Sequence, residues 1–159
     1  SNFPNATIIE EEVLLPSATV ERAYPQFSPD GKELAFIEER NRLMVINLDT
    51  KKVRQITDGS TWFSTDGNFD YQWSPDGKWF TLEFIGNRHD PYSDIGLVSA
   101  KGDSPITNLT NSGYMSGSPR WVLDGNAILF TTERYGMRAH ASWGSQNDAM
   151  LVFLNQDAF

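Results

Sequence analysis

Hydrophobic residues in this chain are gathered into short runs of four to seven, each closed off by turn-forming residues. The paired runs Tyr24–Ser28 and Glu33–Glu38, Tyr71–Ser74 and Trp79–Ile85, and Pro119–Val122 and Ala127–Glu133 are rich in β-branched and aromatic residues. They are too short for helices, which predicts strands. A third run follows each pair, at Leu43–Leu48, Ile95–Ser99 and Ala149–Leu154. The first of these, Leu-Met-Val-Ile-Asn-Leu, is apolar on both faces, as a sheet covered on both sides requires. A more polar fourth run, Val53–Thr57 and Ile106–Thr110, suits an outer edge.

Between the first and second runs stand Ser28-Pro29-Asp30-Gly31, Ser74-Pro75-Asp76-Gly77 and Val122-Leu123-Asp124-Gly125. In the first two, Pro presets φ for a type I turn and Gly takes the left-handed position that returns the chain antiparallel. The third keeps Asp-Gly without Pro, a weaker hairpin signal. The Asp-Gly pairs lie 46 and 48 residues apart, the period of a propeller blade. The expected fold is therefore all-β, a partial β-propeller of about three four-stranded antiparallel blades over 21–159. The blades fall at about 21–58, 66–111 and 117–159, the last incomplete, after a leading strand or linker over 1–20. Closure takes roughly four to eight blades. Three leave an apolar face bare at each end, which implies a fragment of a larger propeller or a ring completed between chains. The competing architecture is a small independent β-sandwich.

Aromatics make up 13% of the chain and the net charge is −8. That balance argues against a duplex nucleic-acid partner, which needs clustered Lys and Arg, and against docking on anionic lipid. No apolar run approaches the roughly 20 residues that cross a bilayer. With no Cys, thiol catalysis and thiolate zinc sites are excluded.

The SPDGK turn after an aromatic-bearing strand, followed by LAFI and an LMVINL-type strand, resembles the TolB-like and tricorn-type propeller repeat. A narrower likeness lies in ERYGMRAHASWGSQNDAMLVFLNQDAF, TDGNFDYQWSPDGKWF and HDPYSDIGLV. These segments resemble the N-terminal propeller of tricorn-like serine peptidases of the C-terminal-processing type from Bacteroides-like bacteria. The resemblance implies a periplasmic or secreted, non-catalytic module that steers peptides toward a peptidase domain elsewhere. None of that family's catalytic residues maps onto this chain, and no cofactor is implied.

The residues themselves offer little chemistry. Gly113-Tyr114-Met115-Ser116-Gly117 resembles a nucleophile elbow with its Ser one position late, and an inter-blade loop explains its composition equally well. Asp66, Asn68 and Asp70 begin like a calcium loop, but Tyr71 and Gly77 stand where the turn Gly and bidentate Glu belong. His89 and His140, the only histidines, have no zinc spacing, so no metal site is expected.

One constellation is better. In a four-stranded blade, loops joining strands two and three share a face with loops entering the next blade. Long segments there gather Trp62, Arg88, His89, Tyr92, Arg134, Tyr135, Arg138, His140 and Trp143. Arginine, histidine and aromatics together suit peptide carboxylates and backbone, through bidentate and cation–π contacts. The competing account has Tyr135 and Trp143 packing the loop, with Arg134 and Arg138 paired to Glu133 and Asp148. Phe27, Trp73 and Trp121, at one strand position in each blade, are expected in the core. Gln26, Gln72 and Arg120 precede them, near the axis.

Two functional readings follow. One is an accessory propeller segment of a peptidase, partnered by peptides, by the rest of its propeller and by a peptidase domain. The other is a free-standing TolB-like module that binds a protein. Exposed blade faces also suit a homo-oligomer. A sugar-acting or lyase enzyme would need an axial acid or base from a whole propeller.

Overall fold

The computed structural model describes residues 12–16, 19–60, 70–86, 92–135 and 147–155. Among the described residues, eleven strands form three antiparallel sheets, each running in chain order. The first holds β1 (Arg22–Phe27), β2 (Glu33–Glu38), β3 (Arg42–Asn47) and β4 (Val53–Gln55). The second holds β5 (Tyr71–Trp73), β6 (Trp79–Phe84), β7 (Asp94–Ser99) and β8 (Thr107–Asn108). The third has three strands, β9 (Ser116–Val122), β10 (Ala127–Thr132) and β11 (Asp148–Phe153). The expected leading strand lies largely outside the described residues, although Glu12 reaches Lys51 in an ion pair of 2.7 Å.

The two Ser-Pro-Asp-Gly turns are built alike. Gly31 N–H donates to the Ser28 carbonyl and Gly77 N–H to that of Ser74, both at 2.9 Å, with the glycines at φ +71° and +69°. Each Ser hydroxyl donates to its Asp carboxylate at 2.6 Å and accepts from the N–H that opens the next strand, Glu33 or Trp79, at 3.0 and 2.9 Å. Those hydroxyls hold Asp30 and Asp76 below the usual carboxylate range. The third turn, lacking Pro, closes as one 3₁₀ turn with Leu123, Asp124 and Gly125 all at positive φ.

The core lies between sheets. Ala35, Ile37, Leu43 and Val45 of the first sheet pack with Tyr71, Trp73, Phe80, Leu82 and Phe84 of the second. Ile95 and Leu97 of the second pack with Ile128, Phe130, Trp121, Met150 and Val152 of the third. Sheets with both faces apolar can bury them only by stacking, and this one does so twice. Close approach is paid in side-chain volume. A Cβ on Gly102 would lie 2.2 Å from the Gln55 carbonyl of the neighbouring sheet, and φ there is +73°.

The same first-strand aromatic locks both junctions. The Trp73 indole donates to the Gln26 carbonyl, and the Trp121 indole to the Gln72 carbonyl, both at 3.2 Å. Phe27, expected in the core at the equivalent position, is 65% exposed instead, because no sheet covers it among the described residues. The Gln26 side chain turns to the junction, donating to the Tyr71 carbonyl at 2.8 Å. The first and third sheets also share a bulge. Tyr24 (φ +56°) and Ser118 (φ +52°), each before a proline, interrupt the registers of β1 with β2 and β9 with β10.

Candidate functional site

Residues Tyr92, Arg134 and Tyr135 of the expected loop face are described. Arg88, His89, Arg138, His140, Trp143 and Trp62 lie outside the described residues. Tyr92 enters β7, and Arg134 and Tyr135 leave β10, so topology puts all three at one end of adjacent sheets.

That end is fastened by buried hydroxyls. Ser93 Oγ donates to the Ser116 carbonyl at 2.8 Å, and Ser116 N–H returns a bond to the Ser93 carbonyl at 2.9 Å. Ser116 Oγ reaches Thr132 Oγ1 at 3.4 Å, and Thr132 Oγ1 accepts from Arg134 N–H at 3.3 Å. Ser93, Ser116 and Thr132 are all buried, so each hydroxyl needs such partners. The ladder ties the backbone beside Tyr92 to the backbone of Arg134 across two sheets. Ser116 and Gly117, expected in an inter-blade loop, therefore belong to β9, which starts three residues earlier than the sequence suggests.

At the surface the Arg134 guanidinium stands 5.5 Å from the centre of the Tyr135 ring. Tyr135 is 70% exposed, and the loop it opens lies outside the described residues. Asp148, offered in the competing account as a partner for an arginine, buries Oδ2 without a hydrogen bond. Tyr92 is exposed as well. The described part of the site is thus an exposed cation on an aromatic face, with a second exposed phenol at the same end of the neighbouring sheet. That arrangement suits a carboxylate or a peptide backbone and supplies no nucleophile.

A second polar cluster, which sequence reasoning missed, joins the second and third sheets. Glu83 accepts from Ser118 N–H at 3.3 Å, and a Cβ on Gly117 would meet its carboxylate at 2.7 Å. Burial raises the Glu83 pKa above its ordinary value. Asp70 pairs with Arg120 at 2.7 Å, so Arg120 turns back to the second sheet. Asp70, the last residue of the calcium-like run, thereby has a partner, while Asp66 and Asn68 lie outside the described residues. Among the described residues no group of three His, Cys, Asp or Glu could hold a metal, and no helix is long and apolar enough to cross a membrane.

Superposition on the tricorn protease gives a TM-score of 0.65 over 88% of this chain and 14% of that one, at 14% identity. Superposition on a putative TolB from Agrobacterium tumefaciens gives 0.60 over 89% of this chain and 48% of that one, at 20% identity. This chain folds as a partial β-propeller. Its three sheets are the blades. In sequence, the profile of the dipeptidyl peptidase IV (DPP IV) N-terminal region matches residues 6–82. An uncharacterized peptidase of Bacillus subtilis, YuxL, is 29% identical over 119 residues. That alignment takes in 72% of this chain and 18% of the peptidase. The propeller is thus of a kind related to peptidases.

Proposed function

We propose that this propeller segment is a non-catalytic part of a tricorn-like serine peptidase, periplasmic or secreted, whose loop face receives peptides on their way to a catalytic domain. The observation that carries the reading is the exposed Arg134–Tyr135 pair, whose backbone the buried hydroxyl ladder ties to the entry of β7, where Tyr92 lies. An exposed guanidinium over a phenol ring engages a carboxylate without losing its aromatic support. Arg88, His89, Arg138, His140 and Trp143 extend the same face in this proposal. The likeness to the peptidase-linked N-terminal region and to YuxL supports the assignment to a peptidase rather than to another propeller protein.

The alternative, a TolB-like interaction module, draws on the larger share of the TolB chain that this segment covers, 48% against 14% of tricorn. Fluorescence anisotropy with labelled peptides separates the two. Peptides with a free C-terminal carboxylate are expected to bind, and amidation or Arg134→Ala with Arg138→Ala to weaken them. Equal affinity for every peptide and variant rejects the loop face as a peptide site.

A further inference from the structure

The three Asp-Gly hairpins differ in how the aspartate and the following glycine amide are held. In the first two, the carboxylate of Asp30 or Asp76 accepts from a serine hydroxyl at 2.6 Å and from the Lys32 or Lys78 N–H at 3.1 Å. The Gly31 and Gly77 amides are engaged as well, donating to the Ser28 and Ser74 carbonyls. The third hairpin has Val122 in place of the serine and Leu123 in place of the proline. Its closing bond moves one residue along, from Asn126 N–H to the Leu123 carbonyl at 3.0 Å. Among the described residues, nothing donates to the Asp124 carboxylate, and the Gly125 amide has no acceptor. Asp124 is exposed, and it and Leu123 stand at φ +53° and +51°. Asp58, which precedes Gly59, is held like the first two, accepting from the Ser60 N–H and hydroxyl at 2.9 and 2.5 Å.

We propose that Asp124-Gly125 is a site of spontaneous covalent modification, where the main chain rearranges through a cyclic imide to isoaspartate. The Gly125 nitrogen attacks the side-chain carboxyl carbon of Asp124. A C–N bond forms, and the carboxyl hydroxyl leaves with the amide proton as water. Water then adds to the former main-chain carbonyl of Asp124, the old C–N bond breaks, and the nitrogen takes back a proton. The main chain now runs through the β-carboxyl and the α-carboxyl is free. Nothing is oxidised or reduced, and the water lost is regained, so no co-reactant is needed. Closing the ring requires a nitrogen free of an acceptor, a carboxyl free to turn toward it, and no side chain on the next residue. Asp124-Gly125 meets all three, the last through its glycine. In the first two turns the serine hydroxyls favour the ionised carboxylate, which is the poorer electrophile. The inference does not rest on the peptide reading. Its product places an extra methylene in the main chain between β9 and β10, where a Cβ on Gly125 would lie 3.4 Å from the Pro75 ring of the second sheet.

The test is incubation of the folded chain at pH 6 in heavy-oxygen water, followed by digestion and mass spectrometry that reads each Asp-Gly peptide separately. Every passage through the imide leaves one heavy oxygen, and electron-transfer fragmentation tells isoaspartate from aspartate. The expected result is label and isoaspartate at Asp124 at least about tenfold faster than at Asp30, Asp58 or Asp76, the factor a hydrogen bond to a charged group is worth. In concentrated urea the four rates converge, because the turns that distinguish them are gone. Ser74→Ala releases the Asp76 carboxylate and raises its rate severalfold, with an unchanged rate at Asp30 as the check that the chain stays folded. Asp66-Gly67, outside the described residues, is read on its own peptide and enters neither outcome. Equal rates at the four positions in the folded chain, or no label at Asp124, overturn the proposal.

Discussion

The indole of Trp121 donates to the main-chain carbonyl of Gln72 across 3.2 Å, and one blade earlier Trp73 makes the same bond to Gln26 at the same length. A side chain thus fixes the spacing of consecutive sheets by gripping the backbone of the sheet before it. Replacing Trp121 with Phe keeps an aromatic and removes the donor. The expected cost is about 1–2 kcal/mol, from the lost hydrogen bond and the smaller ring. Phe27→Leu, at the exposed equivalent, should stay within about 0.5 kcal/mol for a single copy. Urea unfolding at low protein concentration measures both.

Glycines separate in the same way. At Gly31 nothing lies within 4 Å of an added Cβ, so Gly31→Ala pays only for its left-handed backbone, about 1 kcal/mol. At Gly102 the added carbon also meets the Gln55 carbonyl, a backbone atom that cannot rotate away. Gly102→Ala should cost at least about twice as much, and thermal melts of the pair expose the difference.

Acid acts on this chain with two opposite signs. Asp30 and Asp76 have lowered pKa values through their serine hydroxyls, so their stabilisation is present above the unfolded value near 3.8 and fades as pH falls through the folded values. Glu83 has a raised pKa through burial, so the folded chain holds its proton more tightly than the unfolded chain does. Its ionisation costs stability above the raised value, and that cost is relieved as pH falls toward 4.5. Glu83→Gln should therefore raise the melting temperature at pH 7 and flatten its dependence between pH 7 and 4.5. Ser74→Ala should lower stability at pH 7 and weaken the loss below pH 4. Melting curves across pH 3 to 8 distinguish them.

The repeat made most of this fold legible. Asp-Gly turns 46 and 48 residues apart, with an aromatic before each, place the strands to within a few residues, since hairpin chemistry is local. What stayed hidden is contact between blades. Ser93, Ser116 and Thr132 look like ordinary loop and strand polar residues, and only stacking brings their hydroxyls together. Phe27 repeats the position of Trp73 and Trp121, yet its burial depends on a neighbour that no local pattern records. Glu83 sits in an apolar strand, WFTLEF, and a lone acid there was the one available hint of a buried polar contact. Of the loop face, Tyr92, Arg134 and Tyr135 follow from strand order alone, because topology dictates which loops share an end.

The loop face is the centre of this account, and amide chemical-shift mapping tests it most directly. Peptide with a free C-terminus is titrated into isotopically labelled chain. The account predicts saturable shifts at Tyr92, Arg134 and Tyr135, carried along the ladder to Ser93, Ser116 and Thr132 and lost with Arg134→Ala. Shifts confined to the Asp-Gly turn end, or none at saturating peptide, would contradict it.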